Sequence, residues 1–432
     1  MIFTIIGIIL IIYSFINFKK AFLWFLVFKL FLVTNITVVA VPGLPLFTLE
    51  LFLTIIFFIQ FYRTRKRVSE YVKFPYKRPM IFILVSWALS TIFAYIGFIG
   101  AFSQFLKDIF QQIIFIWMLW ELIDVKKDLG FILKWFTIAF FFICVYGFYE
   151  HQIQSNPLVE YEASLIGDSD RAINWTYDAD IERGYRTQSV FEHAIGAGIN
   201  WAMYIVFILS LYINYKYPIK YKKFAFLTVL LSVMCLLFTN SRGPIVFLML
   251  SGLSLVNLKN KRVYLFIICV VISIVILFPY LSEYTDNILS IFDSKVQKRV
   301  GGSNAEMRLM QMNAAVELMN ESPIVGWGFK FMNVLDNSLT AALLGLESMW
   351  IRIMVQFGII GIIANAYFAY YSLIKIPKLF HSKSVFYISL AYWITASLTS
   401  VPGMLYYLYF LILIIFIKLS PTYMKMTSEY GK

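Results

Sequence analysis

Charge is scarce in this chain. Of its 432 residues only 14% are Asp, Glu, Lys or Arg, while 60% are apolar and 19% aromatic, a balance that excludes an ordinary soluble domain and fits a polytopic membrane protein. Cysteine and histidine are scarcer still, at three each. Cys144, Cys235 and Cys269 all lie inside apolar runs, so a disulfide framework is not expected and redox compartment is not readable. His151, His193 and His381 are scattered and show no metal-ligand spacing. No GxxxxGKS loop occurs, so nucleotide-driven chemistry has no visible handle. Neither a cofactor nor a metal is expected.

What the chain does have is apolar runs of about 20 residues from end to end, the length that carries a helix across about 30 Å of hydrocarbon. The formal charge of +13 sits mostly in short links between these runs, where Lys and Arg set topology. The expected partner is therefore the lipid bilayer and not nucleic acid. The first run begins at Ile2 without a basic flank and reaches Lys19-Lys20 only after it ends, which argues for a retained helix entering from outside over a cleaved signal peptide.

Taken in order, the runs predict an all-α transmembrane bundle of about 12–13 helices with two larger extracytoplasmic segments. Residues 1–149 form N-terminal transmembrane helices, with a tight external turn at Pro42-Gly43-Leu44-Pro45 and a hairpin from runs near 79–101 and 108–125. Within them Lys29 and Glu50 read as snorkelling side chains or an interhelical pair in preference to a transport site. Residues 150–190 form an external loop. Residues 191–281 are central transmembrane helices, 282–343 an external helical segment, and 344–432 the C-terminal transmembrane helices. Ser303 and Glu306 make a capping box, and Met307, Met310, Ala314 and Leu318 recur at helical spacing, so an amphipathic helix is expected over 304–320, packing its stripe onto the membrane domain.

The stretch that organises the chain is Thr239-Asn240-Ser241-Arg242-Gly243-Pro244. It places an arginine between two uncharged runs, 224–240 and 245–256, and then turns into a new helix whose N-terminus lies beside that arginine. This is an anion-attracting corner. Positive-inside parity puts Arg242 on the same outer face as Arg186 and Arg308. Arginine suits a polyanion because its planar fork binds two oxygens and keeps its charge when partly desolvated. Each of the three could instead be solvated or paired with a neighbour such as Glu182 or Glu306. The acidic pairs Asp168/Asp170 and Asp178/Asp180 read as a solvated face more readily than as a cation site. Trp175, Tyr177, Tyr185, Trp327 and Trp350 read as headgroup-level anchors or as platforms for sugar rings.

The order of the segments RTQSVFEHAIGAGIN, TNSRGP, SPIVGWGF and ESMWIRIMVQFGIIG resembles the O-antigen ligase and polymerase superfamily, across roughly residues 180–373. The resemblance implies a metal-independent membrane glycosyltransferase of the bacterial plasma (inner) membrane, acting on its extracytoplasmic face. Its donor would be an undecaprenyl-diphosphate-linked oligosaccharide, and a flippase and a chain-length regulator of the same pathway would be its protein partners. Arg186, Arg242 and Arg308 would bind the diphosphate, with Arg242 and Arg308 also stabilising charge as the glycosidic bond breaks. Where the ligase branch has a histidine, this sequence has Glu347, which could take a proton from an acceptor hydroxyl or simply cap the following helix. The departure favours a capsule or O-antigen polymerase over a ligase. A flippase or transporter is the rival from another class, disfavoured by the absence of a recognisable repeat and by the scarcity of charge within the runs.

Overall fold

The computed structural model describes residues 2–32, 37–39, 47–64, 72–166, 185–256, 305–333, 343, 348–399, 401 and 403–430. The chain divides into two compact units. The first comprises Met1–Phe136, Glu306–Val385 and Ala396–Lys432. The second comprises Thr137–Ala305 and Phe386–Thr395.

In the first unit, α1 (Ile2–Ile16) packs on α2 (Phe18–Phe28) and α3 (Leu49–Thr64). Short strands β1 (Thr37–Val39) and β2 (Phe47–Thr48) pair antiparallel between α2 and α3, while the turn expected at 42–45 lies outside the described residues. Phenylalanine fills this interior. Phe25 stacks on Phe57 at 5.0 Å and meets Phe115 edge-on at 5.8 Å. Lys29 and Glu50 form a buried ion pair, with the Lys29 ammonium also 4.9 Å from the ring centres of Phe115 and Tyr407. The interhelical reading of these two residues is thus the observed one.

Then come α4 (Lys77–Ile92) and α5 (Phe98–Asp108), which runs through a π-helical stretch, Ile109–Ile114, into α6 (Phe115–Leu122). The hairpin turn lies at residues 93–97, where Gly97 has φ +86°, and not at residues 102–107, between the expected runs. The chain stays helical through them, and the polar side chains along this stretch satisfy one another at helical spacing: Gln104 and Gln112 both donate to the Asp108 carboxylate, at 3.0 and 3.1 Å.

The long helix α7 (Val125–Ile153) leads into the second unit, which continues with α8 (Pro157–Ile166), α9 (Ala194–Ile213), α10 (Lys222–Phe238) and α11 (Arg242–Gly252). Helix α9 is its centre and is buried along nearly its whole length. The small residues Ala194, Gly196, Ala197 and Gly198 open its first turns, which lets neighbouring backbones approach closely. At Gly198 an added Cβ would stand 2.4 Å from Pro244 Cγ of α11.

The first unit resumes with α12 (Ala305–Glu321) and α13 (Met349–Tyr370), the latter continuing through a π-helical turn to Phe380. Helix α14 (Lys383–Leu398) contributes to both units, and α15 (Tyr407–Leu419) and α16 (Pro421–Tyr430) close the chain. The helix expected over 304–320 is α12, but it is not amphipathic, its apolar residues being spread around its circumference. Part of the expected stripe packs: Ala314 and Leu318 lie against a cluster that includes Ala315, Phe331, Ile351 and Val355, whereas Met310 is exposed. Among the described residues three helices are long and apolar enough to cross a membrane: α7, α9 and Met349–Phe380. The pair α15 and α16, bent by 62°, makes a fourth if it counts as one span. The helical class therefore matches expectation, while several of the runs form helices of 11–17 residues.

Candidate functional site

Helix α11 begins at Arg242, with Ser241 as its N-cap in extended conformation. The Ser241 hydroxyl makes no cap bond to α11. It donates instead to the Thr239 carbonyl at 2.8 Å and accepts from a terminal nitrogen of Arg186 at 2.8 Å. Arg186 Nε also faces the Thr239 carbonyl, at 3.4 Å. The two arginines that the sequence separates by 56 positions thus share one corner. Asn240, at φ +46°, turns the chain there and donates from its amide to the Tyr185 carbonyl at 3.1 Å.

The same corner collects further helix termini. His193 caps α9, its Nδ1 accepting from the Ile195 N–H at 3.1 Å. Because Gly198 lies against Pro244, the N-terminal turns of α9 and α11 cross in contact, which brings the positive ends of two helix dipoles together. His151 stacks on Phe238 at 3.9 Å, and its Nδ1 lies 3.3 Å from the Thr187 hydroxyl. Arg186 and Arg242 are both half-buried, where a guanidinium interacts more strongly with an anion than it does in bulk water.

The loop before α9 rests on Glu150, a fully buried carboxylate in the last turn of α7. It accepts from the Tyr185 hydroxyl at 3.0 Å, from Gln188 N–H at 2.9 Å and from Ser189 N–H at 2.5 Å. Burial, followed by the charge of Glu150, raises the Tyr185 phenol above its usual pKa, so it stays protonated as the donor. Sequence reasoning missed Glu150. Its only signal is an acid at the C-terminal end of an apolar run, where the helix dipole disfavours negative charge.

Arg308 belongs to the other unit. It sits in the first turns of α12, half-buried, and points a terminal nitrogen to the Leu398 carbonyl at 3.4 Å. One turn later Gln311 is buried, and neither atom of its amide has a hydrogen-bond partner among the described residues. After α12 the segment Pro323–Gly328 zips onto a break in α13. Trp327 and Gly328 N–H donate to the Val355 and Gln356 carbonyls, both at 2.9 Å, and Ile359 and Ile360 N–H return to Pro323 and Ile324 at 2.9 and 3.2 Å. The break is at Gly358, with φ +59°, and Gly326 faces it with φ +67°. A Cβ on either would stand 2.5–2.7 Å from the other strand's backbone, so both positions need glycine.

Of the expected site residues, Arg186 and Arg242 come together and Arg308 stands in the first unit. Glu347 lies outside the described residues, as do Arg171, Arg183, the four acidic residues at 168–180, Trp175 and Tyr177.

Residues 227–366 match the family model described as O-antigen ligase. The match runs from α10 into α13, taking in Arg242, Arg308 and the Gly326–Gly358 zip, and leaving out Arg186 and Glu150. Comparison with curated proteins finds no match.

Proposed function

From the premise that this chain belongs to the O-antigen ligase and polymerase superfamily through residues 227–366, we propose that it is a polysaccharide polymerase of the bacterial plasma membrane. It transfers a glycan from undecaprenyl diphosphate to the non-reducing end of a second lipid-linked repeat unit on the extracytoplasmic face. Members of this family are membrane glycosyltransferase-like enzymes acting on lipid-linked oligosaccharide. The observation that carries the reading is the Arg186 guanidinium docked on Ser241, next to Arg242, where the first turns of α9 and α11 meet.

In the reaction an acceptor hydroxyl attacks the anomeric carbon, the bond from that carbon to the diphosphate oxygen breaks, and the electron pair leaves with the diphosphate. Charge develops on the leaving group, so its stabilisation by Arg186, Arg242 and Arg308 is the main catalytic contribution. Glu347 is the proposed acceptor of the hydroxyl proton. The Arg186 guanidinium held on Ser241, Arg242 as the next residue and two helix N-termini suit a diphosphate, whose oxygens outnumber what one arginine can bind. Transfer to a different acceptor is the second reading, supported by the ligase description of the matched family.

Deleting the protein in its host and resolving surface and lipid-linked glycan on a gel tests the proposal. A polymerase predicts collapse of the ladder to single repeat units. Long chains stranded on the polyprenyl carrier would replace it with the ligase reading. Arg242→Ala and Arg308→Ala should each reproduce the deletion phenotype with normal membrane insertion, and parent-like chain lengths in both would overturn the site.

A further inference from the structure

Glu150 takes no part in the reaction as proposed, yet it is the best-satisfied buried charge near the corner. An ionised carboxylate at the C-terminal end of α7 is disfavoured both by burial and by the helix dipole, and persists only where donors compensate. Three of its donors come from one five-residue loop, Tyr185–Ser189. The loop closes around the carboxylate in a strained form: Ser189 has φ +54°, and its remaining groups are tied down as well. Its hydroxyl donates to the Ile143 carbonyl at 2.8 Å and its carbonyl accepts from the Asn156 amide at 2.8 Å. Strain of this kind persists only where the surroundings over-determine it, and it concentrates at functional sites.

The other side of the loop faces the corner. Thr187 N–H donates to the Phe238 carbonyl at 3.0 Å, Asn240 donates to the Tyr185 carbonyl, and between them the Arg186 side chain reaches Thr239 and Ser241. The backbone of Arg186 is therefore clamped from α7 by Glu150 and from the corner by residues 238–241. We propose that Glu150 is a positioning residue for Arg186: its carboxylate folds the 185–189 loop so that the guanidinium is held at the Ser241–Arg242 corner, ready for a diphosphate. This rests on the reading of Arg186 as a diphosphate ligand. The carboxylate serves as an acceptor for its own loop and has no step in the proton transfer.

The experiment is a double-mutant cycle on purified full-length protein in detergent, with polyprenyl diphosphate as the probe for binding affinity and the thermal midpoint recorded for each variant. Binding is read instead of turnover because inactive variants still report. Glu150→Gln replaces one acceptor oxygen with an NH2 that opposes a backbone N–H. Arg186→Ala should weaken binding by about 10- to 100-fold, the range for a hydrogen bond to a charged partner. Glu150→Gln should weaken it by about 10-fold, and the double variant should bind no more weakly than Arg186→Ala alone, since a displaced loop has nothing further to misplace. Full additivity of the two losses, or parent-like binding by Glu150→Gln beside a weakened Arg186→Ala, overturns the positioning role alone. Parent-like binding by Arg186→Ala overturns the diphosphate reading and this proposal with it. If Glu150→Gln does not accumulate, Glu150→Asp keeps the charge and withdraws it by one methylene, and the same cycle is run with it.

Discussion

Replacing Gly198 with alanine should slow glycan transfer far more than it destabilises the protein. The new methyl would sit 2.4 and 2.7 Å from Cγ and Cβ of Pro244 and 3.2 Å from the Thr239 hydroxyl. Restoring an ordinary contact of 3.4 Å requires the proline ring, and with it the start of α11, to retreat by about 1 Å. On stability the two terms oppose each other. Overpacking costs about 1–3 kcal/mol, and alanine in a helix interior is worth about 1 kcal/mol over glycine. The net loss is therefore between about 0 and 2 kcal/mol. Catalysis has no such offset, because a 1 Å displacement of positioning groups costs about 100-fold in rate, and Arg242 stands two residues before Pro244. The assay pairs a thermal midpoint in detergent with chain-length analysis in the deletion host, and adding Pro244→Ala should recover part of the rate by removing the ring atom that is struck. A Gly198→Ala protein as active and as stable as the parent would show that α9 and α11 do not meet there.

The Lys29–Glu50 pair yields a sign test. Glu50→Gln or Lys29→Met alone leaves a buried charge uncompensated and should cost about 3–5 kcal/mol, whereas Lys29→Met with Glu50→Leu should lie close to the parent; thermal midpoints of the three decide it, and equal losses for single and double variants would contradict the pairing. At Gly358 alanine must hold φ near +59° with ψ near −155° against a carbonyl 2.6 Å away, a region kept almost to glycine that costs about 1–3 kcal/mol before any clash. The expected result is a protein that inserts poorly or melts early, measured as the folded fraction extracted in mild detergent.

The parts of the site visible in the sequence are those where chemistry and local chain direction coincide. Arg242 is conspicuous because two uncharged runs flank it, and Arg186 because it opens a polar segment leading into a helix of small residues. Glu150 is not conspicuous. The apolar run near 131–149 ends one residue before it, so hydropathy assigns it to a loop, and its partners are mostly backbone N–H groups that no side-chain pattern encodes. The hairpin between α4 and α5 is misplaced for a related reason. Polar residues mark turns only when their groups seek water, and Gln104, Asp108 and Gln112 satisfy one another along a helix. On α12 a methionine stripe at helical spacing suggests the packed face, but Gln311 occupies it and Met310 is exposed, because hydrophobicity alone cannot fix the rotation of a helix about its axis when both sides carry apolar residues.

The zip between Pro323–Gly328 and the broken helix α13 has a consequence for anyone exchanging parts between relatives. Its four main-chain bonds and two facing glycines tie segments some 30 positions apart into a single block. A chimera joined anywhere between Pro323 and Ile360 would set one parent's backbone against the other's kink, whereas junctions placed before α12 and after α13 would carry the whole block across intact. Domain-swap boundaries drawn at the ends of apolar runs would cut through it.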